Sequence, residues 1–246
     1  MLASQVQDSR VKTTIKERAL LKYFFYDMDD TLIKTRKNWL GAIQEYLSLQ
    51  DISWENEDLT RYLGKNCRDI CLEILSGWGY IEPGEIERHA GILRQCLLNQ
   101  FEQGVALEIP GASLFLETMT RNVEQYVVSG SPLQVVTKVI KEMGWSRFID
   151  GFLSSESVEK GKPDPRIYDG LRRKLNAKKE ECLIFEDSPA GIEAARRAGI
   201  RCIGINVRLP IGESDPPICK VPNFQALLID DTLQRLVGSE LRQKTL

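Results

Sequence analysis

Four short runs of this 246-residue chain carry side chains that can do chemistry. Asp27 and Asp29 lie in DMDDT, Ser129 in SGSP, Lys162 in GKPDP, and Glu186 with Asp187 in FEDSPAG. On extended backbone, residues two apart face the same side, so Asp27 and Asp29 present a pair of carboxylates. Carboxylates held close repel, and their proton affinities separate. One can stay ionised as a nucleophile while the other holds a proton as general acid. Phosphoryl transfer needs both roles, plus positive charge on the equatorial oxygens. Asp187 adds a third acid, and three oxygen donors without a nearby His or Cys suit Mg²⁺. Lys162 supplies a compact cation. Ser129 can donate a hydroxyl to a phosphoryl oxygen, and it precedes an expected helix start, whose free N–H groups bind anions.

Each run alone has a plainer explanation. DMDDT reads as a capped turn. Ser129 reads as a helix cap, GKPDP as a turn with a solvated lysine, and FEDSPAG as a strand ending in a helix cap with proline at the first helical position. The four together, in order on an alternating fold, are what points to a reaction centre.

The elements that must position them follow from pattern. Residues 22–26 (KYFFY) read as a buried strand. From 38 to 103 the pattern is helical, with Trp39, Ile43, Tyr46 and Leu47 on one face, and Ile70, Leu72, Ile74 and Leu75 crowding a second helix. Beyond Pro110-Gly111 strands and helices alternate. Strands are expected at 125–128, 148–154, 181–185 and 201–207, and helices at 132–143, 164–175 and 189–198. Such alternation predicts an α/β fold, a Rossmann-like parallel sheet flanked by helices. The helical block becomes a cap domain inserted after the first strand. The expected organisation is an N-terminal extension at 1–20, a core of 21–35 and 105–246, and a cap of 36–104, with 209–217 a surface loop. All four runs then fall beyond strand ends or in loops, where open parallel sheets form their ligand crevice.

Composition narrows the function classes. Charged residues make up 28% of the chain, at a formal net charge of -2. That mixture suggests neither a nucleic-acid partner nor a polybasic membrane surface. No apolar run approaches the roughly 20 residues of a membrane span, and the polar start lacks a secretory core. Six cysteines without a CxxC pair read as buried free thiols. The expectation is a cytoplasmic monomer or weak dimer. The single His89, in EIERHAGIL, reads as a solvated helix position, which argues against a histidine triad.

The four runs, with IPGASLFLETM between them, resemble the haloacid dehalogenase superfamily of phosphatases, in the branch that includes phosphoglycolate phosphatase and β-phosphoglucomutase. The resemblance covers about residues 22–206. It implies that Asp27 attacks phosphorus and that Asp29 protonates the leaving oxygen, then activates water. Ser129, Gly130 and Lys162 would hold the phosphoryl group of a small phosphorylated metabolite. Mg²⁺ would be bound by Asp27, the main-chain carbonyl of Asp29, and Asp187, with Glu186 beside it. Dehalogenases of the superfamily use one aspartate where this chain has Asp27 and Asp29. The chain also departs from the pattern. Asp30 occupies a position often held by glycine. Trp39 stands where β-phosphoglucomutase has a histidine, and Cys67 lies near the place of its phosphate-gripping arginine. Phosphomonoester hydrolysis is therefore expected ahead of a mutase reaction or a non-catalytic phosphoaspartate domain. Lys65, Asn66 and Arg68 are candidate substrate contacts in the cap.

Overall fold

The computed structural model describes residues 21–53, 58–77, 82–102, 104, 107–208 and 217–229. The expected N-terminal extension and the loop 209–216 lie outside the described residues. Among the described residues, β1 (Tyr23–Tyr26), β2 (Glu124–Ser129), β3 (Gly151–Ser154), β4 (Cys182–Glu186), β5 (Arg201–Ile205) and β6 (Cys219–Val221) form one parallel sheet. The strand order is β3-β2-β1-β4-β5-β6.

Between β1 and β2 run α1 (Arg36–Leu49), α2 (Cys67–Ser76), α3 (Pro83–Glu102) and α4 (Ala112–Met119). Further on come α5 (Leu133–Glu142), α6 (Arg166–Lys174), α7 (Pro189–Ala198) and α8 (Phe224–Ile229). Because β1 is central, both its faces are buried, and KYFFY reads as an unbroken apolar run instead of an alternating one. Phe24 and Tyr26 face the layer of α4, α5 and α8, while Phe25 faces that of α6 and α7. Tyr26 stacks on Phe185 with ring centroids 4.8 Å apart. Its hydroxyl donates to Gln125 Oε1 (2.7 Å), and Gln125 Nε2 donates to the carbonyls of Leu116 (2.8 Å) and Phe148 (2.7 Å). A fully buried amide is thereby satisfied, as burial requires.

The helices between β1 and α4 pack on one another: α1 on α3, and α2 on α3. α1 buries Trp39, Ile43, Tyr46 and Leu47 as its periodicity predicts. α2 buries Cys67, Ile70, Cys71 and Ile74, but Leu72 is 37% exposed, so the apolar face is narrower than expected. His89 corrects the sequence reading more sharply. It is buried, not solvated, because its face of α3 turns toward α1, and its Nδ1 shares a 2.9 Å hydrogen bond with the Tyr46 hydroxyl. Burial, then the nearby Arg88 charge, lowers its proton affinity. Cys67, Cys71, Cys96, Cys182 and Cys202 are buried free thiols, and Cys219 is half-buried.

β3 is shorter than expected, since Trp145–Arg147 form a 3-10 turn with the Phe148 and Ile149 N–H groups both donating to the Trp145 carbonyl. β6 and α8 were not expected. A three-residue edge strand and a six-residue helix are too short to show periodicity. Among the described residues, no helix is long and apolar enough to cross a membrane.

From β1 the chain runs outward to β2 and β3, then crosses back to β4 on the other side of β1. That reversal of strand order opens a crevice at the carboxyl ends of the three central strands.

Candidate active site

Parallel register delivers the first residues to this crevice. Tyr26 lies opposite both Val127 and Phe185, so Asp27 and Glu186 emerge side by side, with Ser129 one residue further along β2. Asp27 is buried, and its Oδ1 lies 2.5 Å from Lys162 Nζ. Lys162 arrives on the loop after β3, is 2% exposed, and also lies 2.6 Å from Glu186 Oε1. Glu186 is saturated with partners. Oε1 accepts from the Tyr168 hydroxyl (2.7 Å), and Oε2 accepts from the N–H groups of Asp187 (3.1 Å) and Ser188 (3.2 Å) and from Ser188 Oγ (3.0 Å).

Asp29 faces a different set of donors. Ser129 Oγ and Ser131 Oγ each donate to its Oδ2 at 2.8 Å, and Trp39 Nε1 donates to Oδ1 at 3.1 Å. Sequence reasoning missed Ser131, Tyr168 and the contact from Trp39. Ser131 has a signal in hindsight, two residues past Ser129. The other two come from helices whose docking no local pattern encodes.

Asp30 explains why its position favours glycine. Its φ is +58°, in the left-handed region. The aspartate is accommodated because Oδ1 accepts the N–H groups of Thr35 (3.1 Å) and Arg36 (3.2 Å), fixing the entry to α1.

The helix start beyond Ser129 differs from expectation. The Ser131 N–H donates to Ser129 Oγ (2.9 Å), and the Leu133 N–H donates to Glu156 Oε2 (3.1 Å). A carboxylate thus already sits on the first turn of α5, where an anion site was expected. Among the cap candidates, Lys65 pairs with Glu73, while Asn66 and Arg68 line a cavity against Gly130. α2 meets the loop after β3 at Gly161, whose N–H donates to Asp69 Oδ2 (3.0 Å), one residue before Lys162.

Charge is crowded here. Burial, then the Glu186 carboxylate, pushes the Asp27 acid well above the usual range, with Lys162 opposing. Burial, then Asp27, does the same to Asp187. Asp29 is also raised by burial, although the hydrogen bonds from Ser131, Ser129, Thr35 and Trp39 oppose the shift. For Lys162, burial works against the charge, but Asp27 and Glu186 outweigh it and raise the ammonium's proton affinity. Carboxylate oxygens of Asp27, Glu186 and Asp187 all lie within 4.8 Å of one another. One lysine against three buried acids leaves negative charge uncompensated. An all-oxygen donor set of that kind fits a hard divalent cation.

Gly191 sits against this cluster. A Cβ added there would stand 1.7 Å from Glu186 Oε1. Gly191→Ala is therefore expected to displace Glu186 from Lys162. Overpacking of this kind costs about 1–3 kcal/mol, and each kcal/mol lowers the melting temperature by about 2–4 °C in a chain of this size. Thermal melting checks it, and an unchanged midpoint would show that the backbone of α7 yields freely.

The fold thus holds an acid-rich crevice at the carboxyl ends of the central strands, with α1 lying over it. The family model for haloacid dehalogenase-like hydrolases matches residues 24–205, and the chain belongs to that family. It is similar to validoxylamine A 7'-phosphate phosphatase of Streptomyces hygroscopicus, at 25% identity over 76% of this chain and 86% of that protein. It is also similar to phosphoglycolate phosphatase 1 of Pseudomonas aeruginosa, at 26% identity over 85% of this chain and 79% of that one. The structure of CbbY from Rhodobacter sphaeroides in complex with phosphate superposes with a TM-score of 0.72 at 20% identity, covering 85% of this chain and 96% of that one, which speaks for the fold. The chain is thus a phosphatase of this family, a phosphoric monoester hydrolase.

Proposed function

We propose that this phosphatase hydrolyses a small phosphorylated metabolite through a phosphoryl group carried on Asp27, with Mg²⁺ as cofactor. The observation that carries the reading is the buried Asp27 carboxylate, 2.5 Å from Lys162 Nζ and clustered with Asp187 at the end of the central strand. A nucleophile needs an ionised oxygen aimed at phosphorus; burial and Glu186 oppose that form of Asp27, while Lys162 and a bound cation would favour it. The Asp27 oxygen forms the bond to phosphorus as the ester oxygen leaves, taking a proton from Asp29. Asp29 then takes a proton from water, which attacks the phosphorylated Asp27 and releases phosphate. Ser129, the Gly130 main chain and Lys162 steady the equatorial oxygens.

Asp27, Asp187 and the Asp29 carbonyl would hold the metal. Glu186, whose oxygens already serve Lys162, Tyr168 and the start of α7, stands beside it and keeps Lys162 in place. Mg²⁺ supplies charge neutralisation between these acids and the phosphoryl group. We assign 36–104 as a cap over a core of 21–35 and 105–246. Its α2 side touches the core beside Lys162 through Asp69.

Turnover of p-nitrophenyl phosphate is expected to require Mg²⁺, to stop in excess chelator, and to be inhibited by Ca²⁺. Mg²⁺ imposes a tight octahedron, whereas Ca²⁺ is larger and accepts bidentate carboxylates, which would turn Asp27 from its line of attack. Initial rates across a metal series are the measurement. Full activity in chelator would exclude the metal.

A further inference from the structure

We propose that the cavity between cap and core accepts a non-anionic, hydroxyl-rich leaving group and rejects one that bears a second anionic group. This rests on the phosphatase reading above and adds the substrate class. The cavity measures about 320 Å³ and lies beside Gly130, between the two serines that donate to Asp29. That volume is at the small end of ligand cavities, about 300–1,000 Å³, and suits a leaving group the size of a monosaccharide.

Its charges decide the class. The wall holds Arg68 and Arg94 with the acids Glu87, Glu156 and Glu159, and Glu159 is itself paired with Arg166 at 2.6 Å, so the charges balance. Each guanidinium already faces a carboxylate: Arg68 Nε donates to Glu87 Oε1 at 2.7 Å, and Arg94 Nε lies 2.7 Å from Glu156 Oε1 as a charge contact without hydrogen-bond geometry. The other Glu156 oxygen takes the Leu133 N–H, so the first turn of α5 offers that donor to no ligand anion. The N-terminus of α2 also borders the cavity, and alone it would favour an anion. There, however, Asn66 Oδ1 accepts the Asp69 N–H (2.7 Å), and Asp69 places a carboxylate in the first turn. Cys67, between Asn66 and Arg68, adds a buried thiol that burial keeps protonated.

A second phosphate or carboxylate entering here would find each wall arginine already facing a carboxylate, and would have to compete with that carboxylate for the cation. Hydroxyl groups need displace no pair, since they donate to the outer carboxylate oxygens and accept from the remaining guanidinium N–H groups while each pair stays intact. Selectivity of this kind comes from the cost of displacing a paired carboxylate, not from tighter binding of the favoured substrate.

The test uses the full chain with Mg²⁺ and matched pairs: glucose 6-phosphate with 6-phosphogluconate, and fructose 6-phosphate with fructose 1,6-bisphosphate. p-Nitrophenyl phosphate serves as the reference for phosphoryl chemistry. kcat/KM is expected to favour the neutral member of each pair by about tenfold or more. Glu156→Gln, which frees Arg94, should narrow that ratio through improved turnover of the anionic member. The wild-type comparison stands whether or not the variant folds. Hydrolysis of the reference with equal or better turnover of the anionic members overturns the cavity's role alone. Failure to hydrolyse any phosphate ester overturns the phosphatase reading, and this inference with it.

Discussion

Asp27→Asn is expected to remain folded and to lose phosphate-ester turnover, on the order of 10⁴-fold or more, as removal of a nucleophile typically does. The amide conserves the shape of the side chain but is a far poorer nucleophile, and it withdraws a charge from the metal-binding cluster. The fold should survive because Lys162 keeps its second carboxylate, Glu186 at 2.6 Å, and its contact with the Val128 carbonyl. Removing the Asp27 charge also relieves repulsion among Asp27, Glu186 and Asp187, three acids packed within 4.8 Å. The measurements are single-turnover phosphate release, thermal melting, and mass spectrometry of protein trapped during turnover. A folded Asp27→Asn protein retaining a tenth of wild-type activity would end the covalent mechanism. A trapped phosphoryl group on any other residue would take the nucleophile's role from Asp27.

Asp29→Asn should show a loss that depends on the leaving group. General acid catalysis contributes about 10²–10⁴-fold, and an alkoxide needs that proton far more than p-nitrophenolate does. The variant should therefore lose more of its phosphorylation rate on an alkyl phosphate than on p-nitrophenyl phosphate. With the activated ester, phosphorylated Asp27 should accumulate, because the same group must next take a proton from water. The structure adds a local consequence. Asp29 receives donors on both oxygens, Trp39 Nε1 on one and the hydroxyls of Ser129 and Ser131 on the other. An asparagine must point its NH₂ at one of these sets, and only the serine hydroxyls can rotate to accept. The NH₂ is thus expected to face the serines and to leave Trp39 bonded. Single-turnover release from both esters, with mass spectrometry of the protein, reads all of this. Equal losses on both substrates, without slowing of the second step, would reduce Asp29 to a structural or metal-positioning group.

Much of the molecule is determined locally and is legible in order of residues. β1, β2, β4 and β5, with α5, α6 and α7, fall within a few residues of where periodicity and punctuation put them. The reason is that parallel strands buried on both faces and amphipathic helices write their environment directly into the chain. The runs holding Asp27, Asp29, Ser129, Lys162, Glu186 and Asp187 were legible for a related reason. Residues just past strand ends in an alternating fold have one shared destination.

What lay out of reach depends on how separate elements dock. No neighbour of His89 in sequence says that it meets Tyr46 from another helix, and so it read as solvated. Trp39 read as part of an apolar stripe, yet its ring N–H reaches Asp29, because α1 lies over the crevice. Tyr168 read as helix filling, yet its hydroxyl holds Glu186. The start of α5 looked free to bind an anion until Glu156, from the loop after β3, closed on Leu133. Sequence by itself determined which groups are present and which strand ends carry them. Tertiary structure alone decided which of those groups are already paired, and a charge or N–H that has a partner is no longer available to a ligand.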